Sequence, residues 1–177
     1  ARIRWKEADY TASIEKGMRL CVEAGTTTVA DIANTGYSFS VLKKSPLRKI
    51  VYKEIIDLNP DHANDVITKI QSELSVYESD GLLRVGLSPH APYSVSKELY
   101  QAVVQYASRT GMPVCTHIAE TPDEIEFLAH GTGNFPAFLR QLRAMPVQWQ
   151  PPGLTPIQYL KGTGMLDNRP LLIHCNY

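Results

Sequence analysis

The chain alternates between segments whose apolar residues recur every three to four positions and short segments rich in β-branched residues. The first pattern is typical of amphipathic helices and the second of β-strands. The clearest apolar stripe predicts a helix over residues 61–79, and similar stripes begin at positions 14 and 99. Strand-like segments separate these stripes, at residues 26–32, 49–56, 82–87, 112–118 and 170–175.

Local signals mark several helix ends. Thr121, Pro122 and Glu124 supply an N-cap, a first-turn proline and a capping-box glutamate, and they predict a helix that begins at 122. Ser94 or Ser96 should begin the helix whose apolar stripe starts at 99, and Gly25 and Gly111 stand where two helices should end. A Tyr, Phe and Ser segment after the first strand has no decisive pattern. Residues 131–168 are rich in Gly, Pro and aromatic residues, which indicates a long excursion rather than a compact crossover.

Strand and helix alternate five times, which predicts an α/β fold with a parallel sheet covered by helices. Such a sheet is either a (β/α)₈ barrel or an open doubly wound sheet, and five strands cannot close an eight-stranded barrel. The chain begins on a predicted helix and stops just after a predicted strand. We therefore expect residues 1–177 to be one domain that is incomplete at both ends, the middle of a longer polypeptide.

Composition narrows the classes of protein. With 177 residues and 44% apolar side chains, the chain can hide roughly 70% of its extended surface without disulfides or a structural metal. Its 18 basic and 18 acidic side chains cancel, which argues against nucleic-acid and anionic-membrane partners. It also lacks an apolar run long enough to span a bilayer and a signal-peptide pattern.

The three cysteines are Cys21, Cys115 and Cys175. They are odd in number, lie far apart and each sits in an apolar stretch, so we expect three small buried thiols. That usage fits a reducing compartment, and we expect a cytoplasmic protein.

Histidines stand at or near the carboxyl ends of three of the predicted strands. In parallel α/β folds catalytic groups lie at the carboxyl ends of strands, and His90, His117 and His174 fall there. Imidazole binds divalent metals and moves protons near neutral pH, so the group of three favours chemistry over structure. We interpret His62 and His130 as surface or packing residues. Other polar residues at these ends read as ordinary loop starts: Asp31, Asn34, Glu54 and Asp57.

Glu120 follows His117 by three positions. On a helix this spacing would make a ligand pair, but Thr121 and Pro122 begin the next helix, so both residues precede it at the end of a strand. An imidazole ligand and an unligated carboxylate are the minimum set for metal-assisted hydrolysis. The spacing alone is common in unrelated proteins.

Three motifs are specific together, although each alone is not. They are SPHAPYS at 88–94, THIAET at 116–121 and IHC at 173–175, and GTTTVAD at 25–31 accompanies them. In this order they resemble the amidohydrolase superfamily, in the branch of cytosine, guanine and S-adenosylhomocysteine or methylthioadenosine deaminases and triazine hydrolases. The resemblance covers essentially the whole chain.

The resemblance implies a partial (β/α)₈ barrel, with this chain supplying strands two to six, and one divalent metal, zinc in the first place and iron as the alternative. It implies that His117 is a metal ligand and that Glu120 takes a proton from the attacking water and delivers it to the substrate. His174 would hydrogen-bond the attacking oxygen or the developing oxyanion, and in binuclear relatives its counterpart binds a second metal. His90 would belong to the substrate pocket.

The family's His-x-His pair on strand one and aspartate on strand eight have no counterpart in these 177 residues. We therefore expect this chain alone to bind metal poorly and to be inactive, and the full-length protein to hydrolyse a non-peptide C–N bond. The expected partner is a small heterocyclic, nucleobase-like amine that is deaminated, with dechlorination, amide hydrolysis and homo-oligomerisation left open. The alternative is a non-catalytic open-sheet binding or assembly domain with structural histidines.

Overall fold

The structure is a computed structural model that describes residues 5–177. Within that range the helices are α1 Glu7–Glu23, α2 Tyr37–Leu42, α3 Ala63–Leu74, α4 Lys97–Thr110, α5 Pro122–His130, α6 Phe135–Gln141 and α7 Pro156–Thr163. The strands are β1 Thr28–Ala33, β2 Arg48–Ile55, β3 Leu83–Pro89, β4 Cys115–Ile118 and β5 Leu171–His174. Short 3₁₀ helices occupy Pro60–His62 and Met165–Asn168.

All strand pairings between these elements are parallel. β1, β2 and β3 lie side by side in that order, and β4 pairs with β5. A bridge between Leu87 and Val114 joins the two sheets, where the Leu87 amide donates to the Pro113 carbonyl at 3.0 Å. The predicted α/β fold with parallel strands is confirmed. The numbering of these strands as two to six of an eight-stranded barrel stays a prediction.

Helices α3 and α4 cover one face of the sheet. Their apolar stripes pack on Val51, Val85 and Leu87, which are at most 3% exposed. The helix residues in this core are Ile67, Ile70, Leu74, Leu99, Val103 and Ala107. The helices therefore bury the positions that their 3.6-residue period indicates, whereas β3 is buried at six of its seven positions, as a covered parallel strand is.

Several predicted ends agree with the structure and others shift. Ser96 caps α4 by accepting from the Leu99 amide, and Gly111 closes that helix with φ +69°. Helix α3 is shorter than the predicted 61–79 because a 3₁₀ turn precedes it and the chain leaves the helix after Leu74. Beyond that point Tyr77 turns back and stacks on Phe39, with 4.3 Å between ring centroids.

Residues 131–168 contain α6, α7 and the second 3₁₀ helix. Tyr159, Leu160 and Met165 pack into the main core. The first half of the segment instead forms a second cluster with α5, in which Phe127 stacks on Trp149 with 4.3 Å between centroids.

The cysteine prediction is wrong for Cys175, which is exposed, whereas Cys115 is buried and Cys21 is half-buried. Cys175 lies just past β5, where the described residues place no covering element over its side chain. Burial raises the pKa of the Cys115 thiol to about 11. Across residues 5–177, no helix combines the length and apolar character that crossing a bilayer requires.

Candidate active site

The carboxyl ends of β3, β4 and β5 bring three imidazole rings into one row. The ring centroids of His90 and His117 lie 5.0 Å apart, and those of His117 and His174 lie 5.5 Å apart. Glu120 completes the group, with its Oε1 3.4 Å from Nε2 of His174. The four residues singled out in the sequence therefore meet at one edge of the sheet, although their chemical roles stay predictions.

Two hydrogen bonds orient His117. Its backbone amide donates to the carbonyl of His90 at 2.8 Å, and its ring Nδ1 lies 2.9 Å from the same oxygen. A carbonyl only accepts, so Nδ1 carries the proton of this bond, and Nε2 is the ring nitrogen left for another partner. A backbone carbonyl on the second nitrogen is the usual way in which a metal-binding histidine is oriented.

His90 is held in the same manner by a neighbouring loop. Its Nδ1 lies 2.6 Å from the hydroxyl oxygen of Ser94, which in turn donates to the Ala91 carbonyl. The Ser94 proton is thus used, so His90 donates through Nδ1 and keeps Nε2 as an acceptor. Burial lowers the pKa of His90, and the nearby Glu54 carboxylate partly opposes this shift. His90 is therefore a neutral ring at pH 7.

Glu120 and His174 remain open to solvent, with 37% and 34% of their side chains exposed. The backbone around them adopts left-handed angles at non-glycine residues: φ is +50° at Ala119, +75° at His174 and +55° at Cys175. Such residues cost free energy and persist only where neighbouring contacts hold them. The strain lies on both sides of the carboxylate–imidazole pair.

Two further residues belong to this neighbourhood. Tyr93 meets the His90 ring edge-on and stacks on Phe135, with centroid distances of 5.5 and 4.2 Å. Burial, with Glu120 nearby, raises the pKa of Tyr93 to about 12. The only sequence signal for Tyr93 is its place in the SPHAPYS motif, because its partner Phe135 is 42 positions away.

Glu124 is the second residue, and its predicted role needs correction. We expected a capping-box glutamate, but its carboxylate accepts from the Ala119 and Glu120 amides, at 3.0 and 2.9 Å. Thr121 does cap the helix, through the Glu124 amide. Burial raises the pKa of Glu124, which is 0% exposed, while the two amide bonds oppose that rise.

Among the other polar strand ends, Asn34, Glu54 and Asp57 have side-chain partners, whereas the buried Oδ2 of Asp31 has no hydrogen-bond partner among the described residues. Asn34 donates to Glu54 at 2.8 Å, and Asp57 contacts the His62 ring at 3.0 Å. His62 and His130 are exposed, as their interpretation as surface residues requires.

In the part of the chain that the structure describes, no group of three His, Cys, Asp or Glu side chains could hold a metal ion. Nε2 of His117 takes no part in the bond to the His90 carbonyl, and it suits a single ligand to zinc or iron.

The fold and this edge define a class: a parallel α/β protein with a site of imidazoles and a carboxylate at the ends of its strands. The family model of the amidohydrolase family matches residues 3–145. The chain belongs to the amidohydrolase family.

Curated relatives are deaminases. An aminodeoxyfutalosine deaminase of Deinococcus radiodurans is 32% identical, over 97% of this chain and 43% of its own length. A 5-methylthioadenosine/S-adenosylhomocysteine deaminase of Halothermothrix orenii is 29% identical, over 88% of this chain and 32% of its own. The chain thus spans less than half the length of these relatives.

Solved structures give the same fold. The Helicobacter pylori aminofutalosine deaminase superposes with a TM-score of 0.67 at 25% identity, covering 76% of this chain and 34% of that one. Atrazine chlorohydrolase TrzN of Arthrobacter aurescens, complexed with zinc, gives a TM-score of 0.62 at 18% identity, covering 90% and 36%.

Proposed function

We propose that the full-length protein is a metal-dependent deaminase of a heterocyclic amine, with the amino group of an adenine nucleoside as its first candidate substrate. The observation that carries this proposal is the Glu120 carboxylate 3.4 Å from His174, beside an oriented His117. The names of the relatives support the substrate class, since 5-methylthioadenosine, S-adenosylhomocysteine and 5'-deoxyadenosine all contain an adenosine unit.

His117 would hold the metal through Nε2, and the remaining ligands would come from residues outside this chain. Zinc is the first expectation and iron the second, and zinc is supported by the zinc complex of the structurally similar TrzN. When bound, the divalent ion lowers the pKa of water and polarises the group under attack.

The chain's own residues would move the protons. Glu120 takes one proton from the attacking water and delivers it to the ring nitrogen of the substrate. As the bond from carbon to the amino group breaks, the second proton of that water goes to the departing nitrogen, which leaves as ammonia. His174, 3.4 Å from that carboxylate, donates a hydrogen bond to the attacking oxygen and orients it toward the carbon. The neutral His90 ring lies on the far side of His117 and offers Nε2 to a donor on the substrate.

The test is ammonia release by the full-length protein from a panel of adenine nucleosides, aminopurines and aminopyrimidines, with chloride release from a chlorotriazine as a parallel arm. Glu120→Gln keeps the shape of the side chain and removes its basic carboxylate. We expect kcat to fall by about 10²–10⁴-fold.

Glu126→Gln is the matched control, because Glu126 is an exposed glutamate on α5 whose carboxylate accepts only from Thr132 among the hydrogen bonds described. It should retain wild-type turnover. Metal content is measured on all three proteins. A metal-free protein, tested after reconstitution as well, that releases neither ammonia nor chloride would contradict the proposal and favour the non-catalytic binding domain.

A further inference from the structure

We infer that Glu124 and Asn176 are positioning residues that hold the backbone of Glu120 so that its carboxylate faces His174. The inference rests on the proposed function for its catalytic meaning, but its structural content stands on contacts alone. Neither residue belongs to the motifs that carry the family resemblance.

The backbone of Ala119 and Glu120 is held by hydrogen bonds to both its N–H groups and both its carbonyl groups. The Glu124 carboxylate accepts from the Ala119 and Glu120 amides, at 3.0 and 2.9 Å. Asn176 binds the carbonyls: its backbone amide donates to Ala119 at 3.0 Å and its side-chain amide donates to Glu120 at 3.1 Å. All four polar backbone groups of this dipeptide are therefore paired by two residues from different parts of the chain.

The conformation that these contacts hold is costly. Ala119 has φ +50°, a left-handed angle that a residue with a Cβ rarely adopts. Without outside partners the dipeptide would relax toward ordinary angles and carry the Glu120 side chain with it. The charged bonds from Glu124 oppose that relaxation, and charge-assisted bonds are about twice as strong as neutral ones.

Glu124 is suited to this role and not to direct chemistry. Its side chain is 0% exposed, so it cannot reach a substrate or solvent. Glu124 lies in the first turn of α5, and this helix is packed into the second hydrophobic cluster. The hydrogen bonds from Glu124 therefore hold the dipeptide against a fixed element.

Asn176 links the Ala119–Glu120 dipeptide to the next strand. We call the four hydrogen bonds from Glu124 and Asn176 to this dipeptide the clamp. It follows β5 by two positions, and His174, the partner of Glu120, is the last residue of β5. The neighbouring Cys175 amide donates to Ile118 at 2.9 Å. The contact thus fixes the distance between the two residues of the carboxylate–imidazole pair.

The test compares Glu124→Gln, Asn176→Ala and the control Glu126→Gln in the full-length, metal-loaded protein. A glutamine side chain has one acceptor oxygen where glutamate has two. Its NH2 group therefore faces one of the two backbone N–H groups, and that hydrogen bond is lost. In Glu124→Gln, the backbone amides of peptides covering residues 115–121 should exchange about tenfold to a hundredfold faster than in the wild type, as measured by mass spectrometry. Glu126→Gln should exchange as the wild type does.

Kinetics give the second readout. A displaced Glu120 impairs proton transfer but not substrate binding, so Glu124→Gln should lower kcat by about 10²-fold and change KM by less than about twofold. Asn176→Ala keeps its backbone bond and removes only the side-chain bond, so its loss of kcat should be about fivefold.

Failure of the inference and failure of the proposed function give different results. If exchange at 115–121 is the same in all variants, the positioning inference is overturned, whatever the activity. If the wild type releases no ammonia but Glu124→Gln quickens exchange, the clamp stands and the deaminase proposal falls. A rise in KM equal to the fall in kcat/KM would also overturn the positioning role.

Discussion

Gly86 lies in the interior of the sheet at a position that leaves no room for a side chain. It lies on β3 beside Tyr52 of β2, and a Cβ at this position would sit 2.5 Å from Cδ1 of the tyrosine ring. The same Cβ would lie 2.8 Å from the Pro113 carbonyl oxygen, which accepts the Leu87 amide where the two sheets join. Gly86→Ala therefore forces apart two elements at once.

Neither neighbour can move cheaply. Tyr52 is 3% exposed and has no solvent-filled space to turn into, and the Pro113 oxygen is backbone. Overpacking of a core costs 1–3 kcal/mol, occasionally more, and two blocked neighbours place this case at about 3 kcal/mol or above. For a chain of this size that corresponds to a fall in Tm of about 6–12 °C.

Gly17→Ala is the matched control, since it makes the same chemical change in the middle of α1 with nothing within 4 Å of the new Cβ. Alanine is the better helix former, so this variant should gain about 0.5–1 kcal/mol. Thermal unfolding followed by circular dichroism measures both. A Gly86→Ala protein that melts at or above the wild-type temperature would refute this account of the sheet interior.

Two further outcomes follow from buried groups. Tyr100→Phe removes the hydroxyl that lies 2.8 Å from the Thr116 hydroxyl, while Thr116 keeps its contact to the His90 carbonyl. The free energy of unfolding, measured in urea, should fall by about 1–2 kcal/mol. An unchanged urea midpoint would contradict it. Because the pKa of His90 is lowered below 6.5 by folding, the stability that its neutral form contributes is present above pH 6.5 and is lost as pH falls through the lowered value. His90→Gln should therefore flatten the decline in urea midpoint below pH 6.5, and parallel pH curves for the two proteins would count against it.

Much of the helix and strand order was predictable because its signals are local. The caps at Ser96, Gly111 and Thr121 act within four residues of their own positions, and the structure places helix ends there. Likewise, a polar residue in the last positions of an apolar strand lies near the carboxyl end of that strand. His117 could be assigned to such an edge without knowing what stands beside it.

Features that depend on distant partners could not be predicted in this way. Helix α2 is six residues long with no cap bond from a side chain, and it exists because Phe39, Val41 and Leu42 are buried against other elements. The exposure of Cys175 depends on what covers β5. The capping-box signal at Glu124 correctly indicated bonds to backbone amides but named the wrong donors.

The apolar pattern and the histidines set the class of fold and the chemical groups available, because periodicity and residue type are properties of short stretches. The 3.4 Å separation of Glu120 and His174 and the clamp from Asn176 join positions more than 50 residues apart. Such pairings arise from the register of β4 on β5 and the packing of α5, which local propensity does not encode. Long-range packing therefore turned a set of candidate residues into a site with a defined geometry.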